Sequence, residues 1–106
     1  MKNDSIYKEG YASYKEKFET VGGELFLSPT KLKFRPHSLN FNRKNIDIDL
    51  LQVKFISKKW NKLFGIFPIA PNMIQVTLEN NKTYKFIVWK RDEWIQMIQK
   101  IRFNLC

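Results

Sequence analysis

Cysteine and histidine are nearly missing from this 106-residue chain, which has one of each, and only four glycines and four prolines punctuate it. The lone cysteine, Cys106, can form no internal disulfide. It stands too near the chain end to be held in the fixed geometry that nucleophilic work needs. His37 lies between Pro36 and Ser38 in an expected loop, a solvent-facing setting. No Cys/His spacing suits zinc and no glycine-rich loop could cradle a phosphate chain, so no metal, cofactor or catalysis is expected. The longest uncharged run starts at Leu63, ends before Glu79 and is broken by Pro68 and Pro71. A bilayer-spanning helix needs about 20 apolar residues, and this run is not one. The opening MKNDSIYKEG carries no apolar segment and therefore no expected secretory leader. Lys2 excludes myristoylation, and prenylation needs a cysteine four from the end. These absences lead us to expect a protein of the reducing cytoplasm, with peripheral attachment to the inner membrane face as an option.

What remains is apolar and basic. Hydrophobic residues make up 43% and aromatic residues 15% of the chain, well outside the disordered range and enough for one domain over 1–106 with a real core. The net charge is +9 and is uneven: four basic and five acidic side chains in residues 1–30, nine and two in 31–62, six and three in 63–106. An excess of that kind is either a surface drawn to polyanions or a compositional bias toward lysine, which outnumbers arginine fifteen to four.

The alternation of apolar and polar residues predicts strands through most of the chain. In YASYKEKF, Ala12, Tyr14 and Phe18 share one face and Ser13, Lys15 and Lys17 the other. Val21-Gly22-Gly23 is expected to turn the chain into a second strand at ELFLS, and Ser28-Pro29-Thr30 into a third at KLKFR, with Leu32 and Phe34 inward. HSLNFNRKN reads as a longer loop. In NIDIDL, Ile46, Ile48 and Leu50 oppose Asp47 and Asp49, and Leu51, Val53 and Phe55 continue the alternation beyond a kink. Asp47 and Asp49, about 7 Å apart along a strand, fit a solvated face better than a carboxylate pair. MIQVTLE and KTYKFIV form a hairpin with Ile74, Val76 and Leu78 matched to Tyr84, Phe86 and Val88, joined by Asn80-Asn81 as a two-residue type I′ turn. After Lys90 the period changes: Trp94, Ile98, Ile101 and Leu105 follow helical spacing, with Asp92 and Glu93 in the first turn and Lys100 and Arg102 in the last. Tyr84, Phe86, Trp89 and Trp94 are expected to seal this helix onto the sheet. About seven antiparallel strands with one C-terminal α-helix predict a mainly β barrel or sandwich of pleckstrin-homology-like shape.

The run from Gly22 to Phe34, GGELFLSPTKLKF, resembles the start of GRAM domains. Ile46-Asp47-Ile48-Asp49-Leu50 with Val53 is similar to that family's next strand. Lys82 to Val88 followed by Lys90-Arg91-Asp92-Glu93-Trp94-Ile95 is similar to its ending. Together they cover most of residues 10–100. The resemblance implies a pleckstrin-homology-like fold, a non-catalytic role and binding of phosphoinositides, other anionic lipids or proteins, with small stand-alone members occurring in bacteria. The family's Asn-Gly before the sixth strand is Asn72-Met73 here. The first hairpin loop, taken as Glu19 to Glu24, is acidic and lacks lysine, which disfavours an inositol-phosphate grip there.

The stretch KKWNKLFGIFPIAPN, residues 58–72, holds the greasiest part of the chain beside Lys58, Lys59 and Lys62. Its Gly65, Pro68 and Pro71 argue against a long helix or a central strand. One reading makes Trp60, Leu63 and Phe64 a helical turn tucked under the barrel. The other exposes Trp60, Phe64 and Phe67 for insertion into lipid or docking on a partner. On the second reading the site comprises this stretch and the side bearing Lys31, Lys33, Arg35, Arg43 and Lys44. Its partner is then an anionic phospholipid surface, or else a protein, including a second copy of the chain. Nucleic acid ranks last, because arginine is scarce and no aromatic stacking row is evident on an exposed sheet.

Overall fold

A computed structural model describes residues 6–16, 19–37, 45–63 and 67–105, with backbone placement only for 61–63 and 67–71. Seven strands follow one another: β1 (Lys8–Lys15), β2 (Thr20–Leu27), β3 (Lys31–Pro36), β4 (Ile46–Asp49), β5 (Val53–Leu63), β6 (Phe67–Leu78) and β7 (Thr83–Val88). A 3-10 turn over Leu50–Gln52 separates β4 from β5, and the helix α1 (Arg91–Leu105) ends the fold. All neighbouring strands are antiparallel, in the order β4-β3-β2-β1-β7-β6-β5.

Most of the expected inward residues are inside. Leu32, Phe34, Ile48, Ile74, Val76, Phe86 and Val88 belong to one core with Ala12, Leu25, Leu27 and Leu50. Trp94, Ile98 and Ile101 of α1 close that core, as their helical spacing predicts. The hairpin register is the expected one, with Ile74 opposite Phe86 and Val76 opposite Tyr84. The turn after Leu27 also holds: Ser28 donates its N–H to Lys31 O at 2.9 Å, and its hydroxyl accepts from Lys31 N at 3.1 Å.

Several details differ, each for a local reason. Val21-Gly22-Gly23 is not a turn but part of β2, and the chain reverses earlier, where Glu16 N–H donates to Glu19 O. The β1–β2 connection therefore falls between Lys15 and Thr20, not at Glu19 to Glu24 as expected; Lys17 and Phe18 lie outside the described residues. Gly23 is needed for close approach. A Cβ there would stand 2.4 Å from Arg35 O and 2.8 Å from Pro36 Cα, inside the β2–β3 pairing. The Leu78–Lys82 connection has three loop residues, with Asn81 alone at φ 70° and its N–H bonded to Leu78 O, rather than a two-residue turn. Leu51 and Phe55 do not continue the inward face. Leu51 sits in the 3-10 turn, and a register shift between Val53 and Phe55 turns Phe55 outward and Ile56 toward the core.

The largest difference concerns residues 58–72. The stretch is a strand hairpin, Lys58 to Leu63 in β5 and Phe67 to Asn72 in β6, so Trp60 and Leu63 are not in a helical turn. The prolines are tolerated because β7 flanks β6 only from Met73 to Thr77, leaving the Pro68 side without a second ladder to feed. Pro71 falls between the Lys59↔Met73 and Asn61↔Ala70 pairs, where the register shifts.

Gly23→Ala is expected to destabilise the fold by about 1–3 kcal/mol through backbone overpacking. Gly22→Ala, where an added Cβ meets nothing within 4 Å, should be close to neutral. Urea unfolding followed by circular dichroism distinguishes the two.

Candidate functional site

Side chains on the core-averted face of β1, β7, β6 and β5 are aligned in rows by the strand register. One row runs Lys15, Lys85, Gln75, Ser57, and the next Ser13, Ile87, Met73, Lys59. Lys15, Lys58, Lys59, Trp60, Met73, Gln75 and Lys85 line a groove of about 460 Å³ on this face. Met73 is buried at its floor and Trp60 is 51% exposed. Among the described residues Lys15, Lys59 and Lys85 have no ion-pair partner. Lys58 does: its Nζ is 2.8 Å from Asp92 of α1. Arg91 next to it donates to Lys59 O at 2.9 Å, so the first turn of the helix fixes β5 where it carries Lys59 and Trp60.

A second, smaller groove of about 290 Å³ adjoins the first on the same face and is lined by Tyr11, Ser13, His37, Asn72, Ile87 and Trp89, among others. Tyr11 and Trp89 are 75% and 78% exposed, and the His37 ring meets Tyr11 edge-on at 5.4 Å. Asn72 Oδ1 is buried there with no partner among the described residues. Trp89 therefore does not seal the helix. Lys90 at φ 56° turns the chain from β7 into α1, its carbonyl receives the Glu93 and Trp94 N–H groups, and Trp89 is left outside. Tyr84 and Phe86 do face inward, in a ring cluster with Tyr14 and Phe34. Tyr14 lies on the core side, behind Lys15; burial first, then the Glu16 carboxylate, raises its hydroxyl pKa and keeps it neutral. An exposed aromatic set on an open sheet face thus exists, contrary to the sequence-based expectation.

The residues singled out from sequence separate into groups. Lys58, Lys59 and Trp60 meet at the main groove. Lys31, Lys33 and Arg35 lie on β3, several strands away, and Lys31 and Lys33 stand directly opposite Asp49 and Asp47. Arg35 is 2.8 Å from Asp47 and also donates to Ile46 O. Asp49 accepts from Leu51 N and caps the 3-10 turn, so both aspartates have structural work on a solvated face. Arg43, Lys44 and Phe64 lie outside the described residues, as do the side chains of Lys62 and Phe67. Lys15 and Lys85 were missed. Each is visibly outward from its neighbours Tyr14 and Phe86, but only the β1–β7 pairing sets them side by side. Among the described residues no cluster of His, Cys, Asp or Glu could hold a metal, and no helix is long and apolar enough to cross a membrane.

No model of a known protein family matches the chain, and no curated protein does. Solved structures do. The C-terminal domain of an unknown protein from Leishmania infantum superposes with a TM-score of 0.77 at 20% identity, over 94% of this chain and 85% of that one. The N-terminal PH domain of human ARAP2 follows at 0.67 and 14%, over 92% and 80%. The Slm1 PH domain, solved in complex with phosphoserine, gives 0.60 and 13%, over 91% of each chain. The fold is pleckstrin-homology-like. That much agrees with the sequence reading.

The hydrogen bond and charge of Lys58 lower the Asp92 pKa below its ordinary value. The pair's contribution to stability is therefore complete above the unfolded carboxylate pKa and is lost as pH falls through the lowered folded one. Lys58→Ala is expected to move the Asp92 carboxyl midpoint upward, toward the ordinary carboxylate value, in an NMR titration.

Proposed function

We propose that this protein is a non-catalytic binding module of the GRAM type that docks peripherally on anionic phospholipid surfaces, using the face built by β1, β7, β6 and β5. The observation that carries this reading is one sheet face bearing three lysines with no ion-pair partner among the described residues, beside the exposed aromatic side chains of Trp60, Tyr11 and Trp89. Tryptophan and tyrosine suit the headgroup boundary because an apolar ring carries a polar edge. Each lysine close to an anionic leaflet contributes about 1 kcal/mol, and each large side chain buried in lipid about 1.5–3 kcal/mol. Neither set holds firmly alone; together they give reversible attachment. The β3 lysines contribute less because Asp47 and Asp49 face them.

A protein partner is the second reading, favoured by the aromatic groove with its unpartnered Asn72 Oδ1. Light scattering across a concentration series tests a second copy of the chain as that partner; a monomer throughout removes it.

In co-sedimentation with vesicles of phosphatidylcholine containing phosphatidylserine, Trp60→Ala with Trp89→Ala should weaken binding at least about tenfold while leaving the fold intact. Asp92→Asn, which frees Lys58, should strengthen it. Unchanged binding in both variants removes the membrane reading for this face.

A further inference from the structure

Lys15 and Lys85 are direct cross-strand partners on β1 and β7. Side chains so placed have Cβ atoms about 5 Å apart, and like charges in that position destabilise a sheet. Elsewhere the protein avoids the problem: on β3 and β4 each lysine is set opposite an aspartate. Here it does not. Glu16 lines the open space beside Lys15 and Lys85 but forms no ion pair with either. Lys59 adds a third cation without an ion pair among the described residues, two strands and one row from Lys85 and about 12 Å away at the backbone, within reach of two lysine stems. Gln75 lies between them, directly opposite Lys85, with an amide free to donate.

We propose that Lys15, Lys85 and Lys59, with Gln75 between them, form a site for a phosphomonoester group. The proposal names the ligand of the face described above and rests on that reading. Three ammonium groups around one space match the chemistry of a monoester, which carries about −1.5 to −2 charges at neutral pH and three strong acceptor oxygens. A diester carries less charge and fewer free oxygens, so it engages fewer of the three lysines. A bound dianion also relieves the Lys15–Lys85 repulsion that the free protein retains. Trp60 on the groove wall then lies next to the anchored group, where its ring can enter the lipid boundary when the phosphate belongs to a headgroup.

The test uses the whole chain and three probes: inorganic phosphate, phosphatidylcholine vesicles containing phosphatidic acid, and phosphatidylcholine vesicles containing phosphatidylglycerol at matched surface charge. Binding is followed by Trp60 fluorescence, against a Trp60→Phe blank, and by sedimentation. The expected result is a preference of about tenfold or more for phosphatidic acid over phosphatidylglycerol, competed by inorganic phosphate. Lys15→Gln with Lys85→Gln should abolish the preference, whereas Lys31→Gln with Lys33→Gln should retain it, both variants keeping the wild-type circular dichroism. Should the Lys15/Lys85 variant fail to fold, Lys59→Gln alone is expected to reduce the preference about fivefold. Equal binding to the two vesicles overturns the monoester site and leaves the membrane reading standing. Saturable phosphate binding without vesicle binding upholds the site, assigns it to a soluble phosphate and overturns the membrane reading. Absence of both overturns both.

Discussion

Phe34 on β3 and Phe86 on β7 have two strands between them, yet their ring centroids are 5.9 Å apart. In a flat sheet three strand spacings would hold them about 14 Å apart. The sheet must therefore curl until its two halves meet, and this contact is where they do. Tyr14 from β1 touches both rings, at 6.0 and 5.6 Å, and Tyr84 joins it at 6.1 Å. Ring pairs in tilted geometries at these distances add to the area they bury, so the cluster is a strong local constraint. Gly23 belongs to the same constraint: a side chain there would strike the Phe34 ring at 2.7 Å as well as the β3 backbone.

Curling has a consequence for the opposite face. Every strand must send its alternate side chains outward, and among the described residues Tyr11, Phe55, Trp60 and Trp89 are left largely exposed. That exposed surface is where the two grooves form. The helix plays a part at both levels. Its buried stripe of Trp94, Ile98 and Ile101 closes the core, while Arg91 and Asp92 in its first turn hold β5 at Lys58 and Lys59. Near the other end Arg102 donates to Val53 O at 2.8 Å, so the edge strand is tied to the helix at two places. The groove is thus positioned by regular elements rather than by loops alone, which favours a fixed arrangement of its lysines.

The charge pattern separates two kinds of lysine that the sequence cannot tell apart. Lys31 and Lys33 alternate outward from Leu32 and Phe34 in the same way that Lys85 alternates outward from Tyr84 and Phe86. The distinction lies across the strand. Asp49 and Asp47 stand across from the first pair, and Lys15 faces Lys85. Trp60 is a comparable case. Its spacing with Leu63 allows a helical turn, but pairing of β5 with β6 takes the backbone into an extended hairpin and leaves the ring half exposed.

What the sequence by itself determined was the local layer: seven alternating segments, the inward set from Leu32 and Phe34 to Ile74, Val76 and Phe86, and the change to helical period after Lys90. These depend on neighbours one to four residues away, and periodicity records them directly. The tertiary structure alone decided which strands pair beyond the hairpins, where β5 and β6 shift register, and which outward side chains share a surface. Lys15 and Lys85 lie at opposite ends of the chain, and no local pattern links them. The antiparallel pairing of β7 with β1 in the middle of the sheet joins these two distant segments, and that pairing places two like charges side by side.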